Sequence, residues 1–267
     1  MAWSERIVDR DGVRLVCRDG GGTGRPVILL HGLAGQSGEW DATTRLLEGR
    51  CRVVAVDQRG HGASERRPED VSRAAYVADV VAVAERLGLV DAVLIGQSLG
   101  GHTAMLTAAE HPGLVRALVL VEAGPGSGDP KVPDEVGGWL DSWPVPFASR
   151  EAAVGFLGGG AVGEGWAGGL AERDGGWWPR FDRDVMVRSL AEGARRTFWE
   201  EWERVTCPTL LVLGQSGFVP TAEVEEMLRR RPGTVAVSVP GTGHDLHLER
   251  PDALFAVVAG FLDRLGG

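Results

Sequence analysis

Short, predominantly apolar runs alternate along this chain with longer stretches in which apolar residues recur every three or four positions. Val27–Leu30, Val53–Val56, Ala92–Ile95, Val115–Val121, Thr209–Leu213 and Val235–Val239 are of the first kind. Runs of this length without polar alternation predict strands covered on both faces. Val13–Arg18, after the Asp11-Gly12 turn, predicts one more. The second kind predicts helices over about Glu39–Leu47, from a Ser72 cap through about Leu87, over Leu99–Glu110, over Ala222–Arg230 and over Pro251–Leu265. Ala74, Val77, Val80, Val81, Ala84 and Leu87 would form the apolar face of the helix after Ser72, and His111-Pro112-Gly113 closes the next one. Alternating strands and helices of this kind predict an α/β fold, a mostly parallel central sheet with helices on both faces.

The rhythm breaks between Gly124 and Arg204, where no strand is evident. This stretch opens on Gly124-Pro125-Gly126-Ser127-Gly128-Asp129-Pro130, which has the composition of a linker. It holds Trp139, Trp143, Trp166, Trp177, Trp178, Trp199 and Trp202, seven of the nine tryptophans. The expected organisation is a core made of residues 1–123 and 205–267, interrupted by a helical insertion at 124–204. So much tryptophan serves either the packing of a small subdomain or the apolar underside of a cap over a cleft, and one segment can do both.

Composition removes several function classes. The chain has 267 residues, enough for one large domain with an insertion, and its 43% hydrophobic and 24% charged content is that of a globular protein. A net charge of -9 with no basic stripe argues against nucleic acid as a partner. Arg66-Arg67 and Arg229-Arg230-Arg231 are short enough to be a solvated loop and a helix C-terminus. The first ten residues lack the apolar core of a signal peptide, and no segment approaches the ~20 apolar residues of a membrane helix. Cys17, Cys51 and Cys207 are widely spaced and lie in or beside predicted strands, so free thiols in a reducing cytoplasm are expected.

Gly96-Gln97-Ser98-Leu99-Gly100 carries the chemistry. It follows a buried strand and opens a helix, the context in which G-x-S-x-G forms a nucleophile elbow. A serine forced into such a turn needs glycine neighbours, because a Cβ there would strike the strand or the helix. The turn lifts the Ser98 hydroxyl out of the sheet and sets it beside the backbone N–H groups of a helix N-terminus, which can hold an oxyanion.

With the elbow in place, the chain resembles the α/β-hydrolase fold family along nearly its whole length, on four ordered segments. His31-Gly32-Leu33-Ala34-Gly35 looks like the family's HG oxyanion loop. Asp57-Gln58-Arg59-Gly60-His61-Gly62-Ala63-Ser64 looks like its D-x-R-G-x-G-x-S turn, and Gly96–Gly101 is the elbow. Gly241-Thr242-Gly243-His244 opens the loop that carries the family's histidine. The insertion at 124–204 matches the position of the family's cap. The resemblance implies Ser98 as nucleophile and His244 as the base that takes its proton and returns it to the leaving group. The oxyanion donors would be the backbone N–H groups of Leu33 and Leu99.

The family's third member departs from its pattern here. After the apolar strand the chain reads Gly214-Gln215-Ser216-Gly217-Phe218, with glycine where an aspartate is expected. Three readings compete. The acid has moved to Glu122, at the carboxyl end of the strand after the elbow helix, a position some family members use. Or Glu223 or Glu225 reaches back from the helix after Pro220. Or there is no acid, and turnover is slow or absent. Glu122 is favoured, because a charge at the end of a buried strand needs a partner; its alternative role is to hold the adjoining linker. Asp245 is disfavoured, since it would have to fold back on its neighbour's ring.

The remaining histidines read as structural: His31 fixing the oxyanion loop, His61 in a glycine-rich turn, His102 and His111 on and after the elbow helix. His247, three residues past His244, lacks the companions of a metal site, so no metal is expected. Gly20-Gly21-Gly22-Thr23-Gly24 lacks the lysine of a phosphate loop and reads as a hairpin turn. A serine nucleophile implies acyl chemistry on a small-molecule substrate, with no cofactor: hydrolysis of a small or medium apolar ester, lactone or thioester. The alternatives are carbon–carbon cleavage or non-hydrolytic work by the same fold, and a ligand-binding protein on a hydrolase scaffold. The oligomeric state is left open.

Overall fold

A computed structural model describes residues 3–126 and 128–266; Met1 and Ala2 of the N-terminal stretch, Ser127 of the Gly124–Pro130 stretch and Gly267 lie outside the described residues. The chain begins with β1 (Ser4–Arg10), β2 (Val13–Asp19), β3 (Arg25–Leu30), α1 (Asp41–Leu47), β4 (Cys51–Asp57) and α2 (Arg73–Leu87). There follow β5 (Ala92–Gln97), α3 (Leu99–Glu110) and β6 (Val115–Val121). The stretch that breaks the rhythm holds α4 (Val132–Asp141), α5 (Arg150–Phe156), α6 (Gly160–Ala167), β7 (Leu170–Arg173), β8 (Gly176–Pro179), α7 (Arg183–Arg195) and α8 (Trp199–Arg204). The sheet resumes with β9 (Thr209–Gly214), α9 (Thr221–Arg230), β10 (Val235–Val239), the short α10 (Leu246–Glu249) and α11 (Pro251–Arg264).

The eight-stranded sheet runs β1-β2-β4-β3-β5-β6-β9-β10. β1 and β2 are antiparallel to each other and β2 to β4, and every other pair is parallel. Alternate residues of each strand serve opposite faces. Ile28, Leu30, Leu94 and Leu118 pack with α2, α3 and α8. Val27, Leu29, Ile95 and Val119 pack with α1 and α11. This division explains why the inner strands β3, β4, β5, β6 and β9 read as predominantly apolar runs.

The apolar pattern predicts no β1, and four sequence expectations need correction. Val235–Val239, expected to be covered on both faces, is the edge strand β10 with only Val239 buried. β1 shows no apolar alternation, because five of its seven residues are exposed and only Val8 is buried; its turn, Asp11-Gly12, has positive φ at both residues, as a tight hairpin demands. Gly20–Gly24 is no hairpin turn: β2 and β3 flank β4 on opposite sides, so this segment crosses over it. The apolar face of α2 is rotated from the expected one. Ala74 is exposed, and Tyr76, Val77, Val80 and Val83 are buried, because the helix also brings Asp79 onto the buried Arg59 guanidinium at 2.6 Å. The insertion is not purely helical: β7 and β8 form a hairpin on the Asp174-Gly175 turn.

Leu140, Trp143, Phe147, Leu170, Phe181 and Met186 of the 124–204 stretch form an apolar cluster that also takes in Ala34, beside the site loop. Trp139, Trp143 and Trp166 meet edge to face at 5.3–6.1 Å. Phe198 and Trp202, by contrast, are fully buried in the sheet-side core beside α3. The tryptophans therefore serve two cores. No helix among the described residues is long and apolar enough to cross a membrane.

Candidate active site

The elbow is as tight as its glycines require. A Cβ at Gly96 would strike the Gly100 backbone, one at Gly100 the Leu30 carbonyl, and one at Gly101 the Ala123 side chain. Ser98 itself sits at φ 51°, ψ -117°, a conformation that costs a non-glycine residue roughly 1–3 kcal/mol. Its N–H donates to Val121 O at 3.0 Å, tying the elbow to the end of β6. Leu99 begins α3, and its N–H, like that of Leu33, meets no acceptor among the described residues. The loop carrying Leu33 is held by His31, whose ring Nδ1 bonds Gly32 O at 2.7 Å while Nε2 accepts from Gln58 N–H at 3.0 Å. Those two contacts select the Nδ1–H tautomer. Gly32 has no space for a side chain because the Gln97 amide fills it.

His244 lies in the loop after β10, and its carbonyl accepts from Gln97 Nε2 at 3.1 Å. Its ring Nδ1 is 3.4 Å from Glu122 Oε2. Glu122 directly follows β6 at φ 50°, a left-handed turn that swings its side chain across the end of β9. There Oε1 accepts from Gly214 N–H and Oε2 from Phe218 N–H, both at 2.7 Å. Burial works to raise the Glu122 pKa, but the bonds from His244, Gly214 and Phe218 outweigh it and hold the carboxyl below its usual value. Of the other acids considered, Glu223 accepts from Gly126 N–H, Glu225 is exposed, and Asp245 accepts from Trp166 Nε1 at 3.2 Å. The structure thus brings Ser98, Glu122 and His244 to the carboxyl-end side of the sheet, after β5, β6 and β10 respectively.

Two adjoining cavities meet at Ser98 and His244. One, of about 520 Å³, is bordered by Leu33, Val136, Trp139 and Trp166, with Glu39, Glu135 and Asp245 among its polar groups. The other, of about 350 Å³, runs beneath α7 past His102 and Arg73.

Phe218, Glu39 and Arg73 were not anticipated as site residues. Phe218 is 75% exposed yet stacks on the His244 ring at 4.4 Å and 18°; an isolated aromatic in a loop gives no such signal. Glu39 is buried beside His247, its Oε2 3.5 Å from Nε2. Burial pushes its carboxyl up to about 8, and burial pushes the His247 imidazole down to about 4, so the two meet as neutral groups. His61 is likewise buried, bonded to Arg59 O at 2.9 Å and lowered to about 3 by burial. No group of three or more His, Cys, Asp or Glu side chains among the described residues could hold a metal ion.

A mostly parallel sheet whose elbow, His31 loop and histidine loop converge at the carboxyl ends of its strands matches what sequence and structure comparison show. Residues 27–257 match the model of the alpha/beta hydrolase family. The chain is 30% identical over 266 residues to the sn-1-specific diacylglycerol lipase ABHD11 of Mus musculus, covering 91% of this chain and 83% of that one. It is 27% identical to the 2-(acetamidomethylene)succinate hydrolase of Mesorhizobium japonicum, covering 97% and 95%. The crystal structure of an E-2-(acetamidomethylene)succinate hydrolase superposes with a TM-score of 0.90 at 27% identity, covering 98% of this chain and all of that one. The chain belongs to the alpha/beta hydrolase family and is an enzyme of the hydrolase type.

Proposed function

We propose that this enzyme hydrolyses an ester, lactone or thioester of a small or medium apolar acyl group through an acyl-enzyme on Ser98. The observation that carries the reading is the His244–Glu122 pair facing the same cleft as a strained Ser98. His244 takes the Ser98 proton as Oγ attacks the substrate carbonyl. Glu122 accepts from the Nδ1–H of that ring and balances the charge the ring acquires. The Leu33 and Leu99 N–H groups stabilise the tetrahedral oxyanion, a donor of this kind contributing roughly 3–4 kcal/mol. His244 then protonates the leaving alcohol or thiol. Water, deprotonated by the same ring, releases the acid and regenerates Ser98. No cofactor takes part. The 124–204 stretch acts as the cap: Trp139 and Trp166 form the apolar side of the larger cavity, suited to an acyl chain.

Burst kinetics with 4-nitrophenyl acetate and butyrate test the reading on wild type, Ser98→Ala and Glu122→Gln. Loss of turnover in Ser98→Ala and a drop of roughly 10²–10⁴ in kcat for Glu122→Gln, with folding intact, are expected. Near-wild-type turnover in Glu122→Gln eliminates Glu122. Failure of a fluorophosphonate probe to label Ser98 would eliminate the acyl-enzyme and favour a ligand-binding role for the cleft.

A further inference from the structure

The smaller cavity is bordered by a buried cation whose neighbouring acid, Glu192, makes no ion pair with its guanidinium. Arg73, the first residue of α2, is 3% exposed. Its Nη2 donates to Ser189 O at 3.2 Å, while Nε and Nη1 have no acceptor among the described residues. The guanidinium lies over the Tyr76 ring with Cζ 4.1 Å from the centroid. No carboxylate among the described residues pairs with it. Glu192, the acid beside it, accepts instead from the Arg73 backbone N–H at 3.0 Å and from Arg196 at 3.2 Å. The acids in the same cavity are also committed, Glu122 to His244, Gly214 and Phe218, and Glu223 to Gly126 N–H.

A buried guanidinium with unmade hydrogen bonds is costly in a native protein, and removing such a group's partner typically destabilises strongly. Ring stacking on Tyr76 offsets only part of this. Burial pulls the Arg73 pKa below the usual arginine value, which marks the same deficit. The cavity that Arg73 borders is the one that Ser98 and His244 border, and His102 lies in it one helical turn past Ser98. Burial, followed by the charges of Arg73 and Arg196, lowers His102 to about 3. It is a neutral imidazole, able to donate one hydrogen bond beside the cation.

We infer that Arg73, assisted by His102, binds a carboxylate of the substrate, so that the enzyme acts on acyl compounds bearing a free acid a few bonds from the scissile carbonyl. This rests on the serine-hydrolase reading and narrows its substrate class: the apolar part of the substrate lies against Trp139 and Trp166, and an acid on the same molecule reaches Arg73. Charge-assisted bonds from a guanidinium to a carboxylate are the strong ones, and in a closed cavity they discriminate strongly against a neutral isostere.

Two pairs of substrates read the effect on either side of the scissile bond. On the acyl side, mono-4-nitrophenyl glutarate is set against 4-nitrophenyl pentanoate. On the alcohol side, 4-acetoxybenzoate is set against 4-acetoxybenzamide. Wild type should favour the charged member of at least one pair tenfold or more in kcat/KM, and in Arg73→Met that ratio should fall to one or below. A wild-type preference for the neutral member of both pairs overturns the inference without any variant, and so does a ratio unmoved in a folded Arg73→Met. If all four esters are inert yet Ser98 reacts with a fluorophosphonate, protection by glutarate decides: slower labelling with glutarate but not with glutaramide supports the site, and equal labelling overturns it. A protein that neither turns over nor labels removes the serine-hydrolase reading itself, and the inference with it.

Discussion

Glu122 occupies the space that a side chain at position 217 would need: a Cβ built on Gly217 falls directly on the Glu122 carboxylate. The two positions approach the histidine loop from different strands. Position 217 follows β9, and Glu122 follows β6, the neighbouring strand. The carboxylate reaches this place because Glu122 adopts a left-handed backbone conformation and receives the Gly214 and Phe218 N–H groups that flank the missing side chain. Absence of an acid at 217 and presence of one at 122 are a single arrangement seen from two strands.

Moving the acid tests this exclusion. Gly217→Asp in the presence of Glu122 should cut turnover at least tenfold, because the two carboxyl groups cannot share one site without protonating or displacing one of them. Glu122→Gly should lose more, by removing the acid altogether. The double variant Glu122→Gly/Gly217→Asp should recover activity relative to Glu122→Gly alone, since the introduced carboxylate would then approach the same ring from β9. Steady-state kcat of the three variants checks the argument. A double variant no better than Glu122→Gly would show that the position of the acid cannot be exchanged.

Ser98 carries a second consequence of local geometry. Its φ of 51° is one that glycine adopts without strain. Ser98→Gly should therefore abolish turnover and raise unfolding stability, by about 1 kcal/mol after allowing for the greater flexibility of glycine in the unfolded chain. Ser98→Ala, which keeps the Cβ, should not gain it. Chemical denaturation of the three proteins checks the difference; equal stability of the glycine and alanine variants would mean that the elbow is unstrained.

The elbow, the oxyanion-type loop and the histidine loop were legible because each is written in contiguous residues whose small side chains have a local steric cause. The buried strands were legible for a similar reason, since layers on both faces leave no polar alternation. Phe218 against His244 and Arg73 in the smaller cavity were not legible, because each depends on contacts across tens to over a hundred residues of chain. β1 escaped detection because an edge strand with a solvated face has no apolar period to read. The β7–β8 hairpin did leave a sign in Asp174-Gly175, a pair suited to a tight turn; the surrounding glycines and charges masked it.

Glu39 gives the molecule a pH dependence with a definite sign. Its carboxyl is raised by burial to about 8 in the folded protein, reinforced by Asp245 and Asp57 and opposed by the Gln36 N–H. In the unfolded chain it ionises near its ordinary value of 4.5. Between these limits the folded state holds a proton that the unfolded state releases, so stability falls as pH rises through this window and levels off above it. The protonated carboxyl faces His247 Nε2, and its Oε1 accepts from Gln36 N–H at 3.2 Å. A glutamine amide can reproduce both contacts without a charge. Glu39→Gln should therefore match wild type near pH 5 and exceed it at pH 8 by on the order of 1 kcal/mol or more. Urea unfolding of both proteins at the two pH values checks this. A gap that is constant with pH would mean that Glu39 is already ionised in the fold, with the loop between Gly35 and Trp40 solvating its charge.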